Sequence, residues 1–138
     1  MGTSRNTGSD KQTYYKLTQC GSEPDSVRKM QRPCLMGDVW MEILPWPEAA
    51  GSLRAFYHLV DIGVPFPFNK SGEYVGYKTD HDPLKRGISA GPLTSKYMTE
   101  CLERQAEERG IPFFDGYQAV RLLTEEKNGE KWAAGIIA

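Results

Sequence analysis

The sequence has no surplus of positive charge: 17 Lys and Arg stand against 18 Asp and Glu, a net charge of -1. Without such a surplus little is available to neutralise a phosphate polyanion, which argues against nucleic acid as the main partner. No run of 18 or more apolar residues occurs, so no membrane span is expected. The first dozen residues are polar and lack the apolar stretch of a secretory signal. Cysteine is scarce. Cys20, Cys34 and Cys101 are odd in number and far apart, giving neither a disulfide framework nor a CxxC metal pair. The expectation is a cytoplasmic protein with reduced, mostly buried thiols and no metal. A GxGxxG turn after a strand is missing too, and with it the phosphate-binding turn of a dinucleotide fold.

What is present fits one domain: 138 residues suffice for a single core and fall short of two. The 14 glycines and 9 prolines predict that loops take a large share of the chain. A short helix is expected over about 24–31, with Pro24 at its first position and Pro33 ending it. Residues 34–47 show no clear period. Pro47 can open a second helix over roughly 48–62, where Leu53, Phe56, Tyr57 and Val60 form an apolar stripe that stops at Gly63 and Pro65. Residues 65–92 read as loop-rich, with a strand possible at 73–79 and another short strand or helical turn at 12–18. A third helix spans 94–110, capped by Thr94 or Ser95 and stopped by Gly110 and Pro112. Its apolar face carries Tyr97, Met98, Cys101, Leu102 and Ala106, and Glu103, Glu107 and Glu108 form a solvated face with Arg104 and Arg109.

Two strand-like runs follow, 113–124 and 131–138, joined by EEKNGE, whose Asn128-Gly129 pair signals a hairpin. The last run, WAAGIIA, is apolar on both faces and asks for a covering layer on each side. Three helices and a hairpin do not readily supply both, so partner layers from a longer chain are expected. The fold class is therefore α/β (or α+β): three helices with a C-terminal β-hairpin, within something larger.

Several residues invite a chemical reading. Gly2, Thr3, Ser4, Arg5, Thr7, Gly8, Ser9 and Asp10 form a glycine- and hydroxyl-rich loop suited to lie against a flat polar ring, or else a plain polar terminus. Asp80, His81 and Asp82 are the densest ionisable cluster around a histidine. In an extended chain the two carboxylates point opposite to the imidazole, so a surface turn is the expected reading. His58 reads as a satisfied helix histidine and Cys101 as core. Lys85 and Arg86, before GISAG, form a basic flexible segment that could approach an anionic ligand, with a solvated loop as the alternative.

The succession GTSRNTGSD, a helix ending in IGVPF, then GPLTSKYMTECLERQAEERGIPFFDGYQAVRLL, a hairpin and GIIA resembles the FAD-binding domain of the fumarate reductase/succinate dehydrogenase flavoprotein family. The resemblance spans nearly the whole chain. It implies that residues 1–138 are part of a glutathione-reductase-like FAD-binding domain, without its N-terminal Rossmann βαβ unit and without the substrate (capping) domain. It also implies FAD as cofactor, with the residue 2–10 loop passing the flavin ring and the backbone of Gln118, Ala119 and Val120 passing the adenine. The implied activity is hydride transfer between FAD and a small organic substrate in the parent protein, and the isolated chain is expected to be inactive. The family's catalytic residues lie in its capping domain, so no acid or base is assigned here. The resemblance further implies a continuous helix across 40–47, where this sequence has two prolines around Trp46. The competing expectation is a non-enzymatic binding module that self-associates, or recruits a partner, through the edge of its hairpin.

Overall fold

The structure, a computed structural model, describes residues 2–6, 8–9, 12–20, 24–35, 45–79 and 82–138. It is a mixture of helices and small antiparallel sheets, α+β in the general sense, in two compact units, Met1–Glu108 and Arg109–Ala138.

The first unit contains α1 (Thr3–Asn6), β1 (Tyr14–Tyr15), α2 (Val27–Leu35), α3 (Pro45–Asp61), β2 (Tyr77–Thr79), β3 (Asp82–Ile88) and α4 (Thr94–Glu108). Among the described residues four helices thus replace the three expected, because the N-terminal loop contains the single turn α1. The other correction is β3. The segment read as a flexible basic loop is the central strand of a sheet ordered β1-β3-β2, pairing Tyr14 with Ile88 and Tyr77 with Gly87. Its proline, glycine and paired basic residues obscured it, yet Gly87 within it and Gly76 before β2 are what the sheet requires. A Cβ at Gly76 would overlap the Lys85 carbonyl oxygen, and one at Gly87 would lie 2.9 Å from Thr13 Cγ2.

Helix α2 starts later than expected and runs past Pro33. Ser26 caps it, its hydroxyl accepting the Lys29 N–H at 3.2 Å. Helix α3 ends as its sequence requires. Val64 N–H donates to Leu59 O and Gly63 N–H to Val60 O, a Schellman closure that places Gly63 at φ 97°. The closure turns Val64 back onto Leu59, and both join the core with Phe56, Ile62, Phe66, Ile88 and Cys101. On α4, Tyr97 and Met98 pack against that core as the stripe predicted, whereas Leu102 is exposed.

The second unit is the hairpin β4 (Arg121–Lys127) and β5 (Glu130–Ile137). Asn128 and Gly129 both have positive φ, 55° and 80°, the tight turn that the Asn-Gly pair foretold. The first strand starts at Arg121, well after the expected 113. Leu122 faces Ile136 across the pair and Leu123 faces Gly135, so apolar groups line both surfaces. All residues of this unit except Gly135 are exposed. The unit has no layer of its own to cover either surface.

Candidate functional site

The N-terminal segment owes its form to glycine and to α4. Gly2 has φ 132°, open to glycine and rarely to other residues, and its carbonyl accepts the Asn6 N–H at 3.2 Å to close α1. Thr3, Ser4 and Asn6 are exposed, whereas Arg5 turns toward α4 and pairs with Glu103 and, at 3.7 Å, with Glu100. Glu103 is thus no mere member of a solvated face. Gly8 lies close against the chain before α4, where a Cβ would meet Leu93 Cδ2 at 3.3 Å. Ser9 N–H donates to Pro92 O at 2.9 Å, and Gln12 Oε1 accepts the Ser95 N–H at 2.8 Å. Arg5 thus holds α1, with Thr3 and Ser4, beside the middle of α4, while Gly8 and Ser9 lie against the chain just before that helix. Thr7 and Asp10 lie outside the described residues.

Gln118, Ala119 and Val120 belong to the hairpin unit and are exposed. Val120 N–H donates to Ile137 O at 2.9 Å, which extends the ladder by one residue; Gln118 and Ala119 precede it in irregular chain. The two expected contact sets fall in different units.

The side chain that sequence reasoning misplaced most is Arg86. It is 2% exposed instead of solvated. Its Nε and one terminal nitrogen grip the Asp25 carboxylate at 2.9 and 2.6 Å, and its other terminal nitrogen reaches Asp82 at 3.0 Å. Asp25 also accepts the Thr18 and Ser26 N–H groups at 3.0 and 2.7 Å. The signal lay in the two-residue period of β3: Arg86 and Ile88 share a face, and Ile88 is core. This arginine is fully engaged, so it is not offered to an anionic ligand.

These contacts set a pH dependence. Burial raises the Asp25 carboxyl, but the Arg86 hydrogen bonds, the two amides and the Arg86 charge together outweigh it and hold the group below its ordinary value. A carboxyl depressed by folding stabilises above its unfolded pKa and loses that contribution as pH falls through the folded one. Unfolding midpoints in urea should therefore hold steady down to about pH 4, the ordinary aspartate range, and then fall as acid is added. A midpoint that is flat, or rises, between about pH 4 and 2 would contradict the assignment.

Lys16 is buried under the same sheet, 1% exposed. Its Nζ donates to Tyr74 O at 3.3 Å and lies 5.0 Å from the centre of the Phe56 ring. Burial lowers its pKa, while the neighbouring Cys20 works the other way. Beside it, Thr13, Tyr14, Tyr15, Pro47, Glu48, Gly51, Ser52 and Ala55 line a groove of about 520 Å³ between β1 and the start of α3. Burial, and secondarily the Glu48 charge, raise the Tyr14 phenol, so it remains a neutral hydroxyl there.

Of the histidine cluster, Asp80 and His81 lie outside the described residues. Asp82 accepts the Leu84 N–H at 2.9 Å, the kind of local bond expected of it, but it opens strand β3 and serves the buried Arg86 rather than lying in a surface turn. His58 is exposed on α3, Cys101 is buried, and Cys20 is a free, half-buried thiol. Among the described residues no group of three or more His, Cys, Asp or Glu could hold a metal, and no helix is long and apolar enough to cross a membrane. No protein-family model matches the chain, and no curated protein matches it.

Proposed function

We propose that the chain is a portion of a flavin-dependent oxidoreductase that transfers hydride between FAD and a small organic substrate, such as an activated alkene or a dicarboxylate. The observation that carries the reading is the N-terminal segment: glycines at 2 and 8, hydroxyls at Thr3 and Ser4 on the exposed side, and α4 behind. Its order with the hairpin follows the resemblance to the fumarate reductase family.

The residues fit the ring end of FAD better than its phosphates. Exposed hydroxyls with glycines beside them allow close approach of a flat polar ring, and donors there stabilise a reduced flavin anion. Ser9 N–H is not among those donors, since Pro92 O takes it. A pyrophosphate turn is absent from the sequence, so this chain by itself should bind FAD weakly or not at all. When bound, FAD supplies hydride chemistry at its N5 atom; this chain's part is to orient the ring and tune its electron affinity. The implied partners are FAD and the small substrate.

The test is to express the chain with its native flanking coding sequence and examine the purified protein. A yellow protein that releases FAD on denaturation, with a glycine-rich βαβ unit encoded upstream, is expected. A colourless, folded protein from the complete reading frame would overturn the reading. A second reading draws on the exposed apolar surfaces of β4 and β5, which suit a binding module that associates through its hairpin edge. A colourless, well-folded dimer would favour it.

A further inference from the structure

We infer that Gln12 is a positioning residue for the N-terminal segment, with Arg5 as the second anchor; the inference rests on the flavin reading above. The first N–H groups of a helix have no carbonyl partner within it, and a Ser, Thr, Asp or Asn immediately before the helix commonly serves them. At α4 the nearby hydroxyl is otherwise occupied: Thr94 Oγ1 donates to Gly91 O at 2.7 Å and accepts the Ala90 N–H at 2.9 Å. The Ser95 N–H is taken instead by Gln12 Oε1, from 83 positions earlier in the chain.

Gln12 N–H in turn donates to Ser9 O at 3.3 Å, and Ser9 N–H donates to Pro92 O at 2.9 Å. Ser9, Gln12, Ser95 and Pro92 thus close a ring of hydrogen bonds between the segment and the start of α4. Gly8 lies inside this corner against Leu93 and Pro92. Toward the other end, Arg5 ties α1 to Glu103 and Glu100. Both anchors are made on the α4 side, while Thr3 and Ser4 remain exposed. A surface fixed in this way demands little ordering when a rigid ring docks on it. Sliding the segment along α4 would break at least one bond of the ring.

The test uses the complete gene product that carries this chain, loaded with FAD. Gln12→Met keeps the side chain's length but removes the acceptor. Gln12→Glu keeps an acceptor, with a charge suited to a helix N-terminus. Gln12→Met should weaken FAD binding roughly fivefold, the size of one lost cap, and shift the visible flavin band. Gln12→Glu should restore both. Arg104→Met serves as control, because it removes the 2.5 Å bond to Ile62 O and lowers stability away from the segment. It should leave affinity and band unchanged. If Gln12→Met does nothing, or both methionine variants act alike, the positioning role is overturned while the flavin reading stands. If the unaltered protein binds no FAD, the flavin reading itself fails and the inference falls with it.

Discussion

Replacing Arg86 with methionine should destabilise the first unit by roughly 3–5 kcal/mol, the usual cost of leaving a buried charge without its partner. The Asp25 side chain is 1% exposed, so without Arg86 it would keep two amide donors and no counter-charge. Asp82, at 12%, is closer to water and contributes less. A second substitution separates the lost attraction from the stranded charge: adding Asp25→Asn to Arg86→Met should recover a good part of the loss. Urea unfolding followed by the helical circular dichroism signal reads this unit, because the four helices among the described residues lie in it. A single variant within about 1 kcal/mol of the unaltered protein would mean that the fork contributes little to the fold.

Phe56→Ala should cost a similar 3–5 kcal/mol by the same measurement. Phe56 is 0% exposed and its ring lies against four other aromatic rings. Phe66 lies 5.0 Å away, Tyr74 5.2 Å in an edge contact, Tyr57 5.5 Å and Tyr14 6.0 Å, all between ring centres. Truncation would open a cavity at the centre of this cluster and remove the face on which the Lys16 ammonium rests. Phe56→Leu should cost less than Phe56→Ala, since it retains much of the volume and loses chiefly the ring face. Equal losses for the two would show that the aromatic face, not the filled space, holds the site together.

The helices α3 and α4 were legible because each combines an apolar stripe with a chemical stop. Gly63 follows the end of the one and Gly110 the end of the other, both with positive φ, whereas the expected Thr94 or Ser95 cap of α4 is supplied instead by Gln12. The hairpin was legible for a local reason as well, since Asn-Gly favours positive φ at both turn residues. In sheet β1-β3-β2 the two edge strands fall within the possible strands at 12–18 and 73–79, but their extent and the central strand β3 were not legible, because they are held by long-range pairing. Tyr14–Tyr15 is too short to show a period, and β3 contains Pro83, Lys85, Arg86 and Gly87, a composition that reads as loop. The buried roles of Arg86 and Lys16 depend on partners far along the chain, such as Asp25 and Tyr74, that local spacing does not reveal. The N-terminal segment stood out by its glycines and hydroxyls, but its helical turn was not read, and its attachment to α4 and the chain before it depends on Arg5, Ser9 and Gln12 meeting residues more than 80 positions away.

The guanidinium of Arg86 joins stretches 61 residues apart, and the carbonyl of the same residue accepts the Lys16 N–H at 3.1 Å. Such closures carry the entropy of a long loop, which must be offset before the contact rewards it. A sheet assembled without the Asp25 stretch would enclose a cation that keeps one of its two carboxylates, and an under-paired buried charge is costly. The charge in the middle of β3 thus penalises half-made versions of the unit and rewards only the complete one.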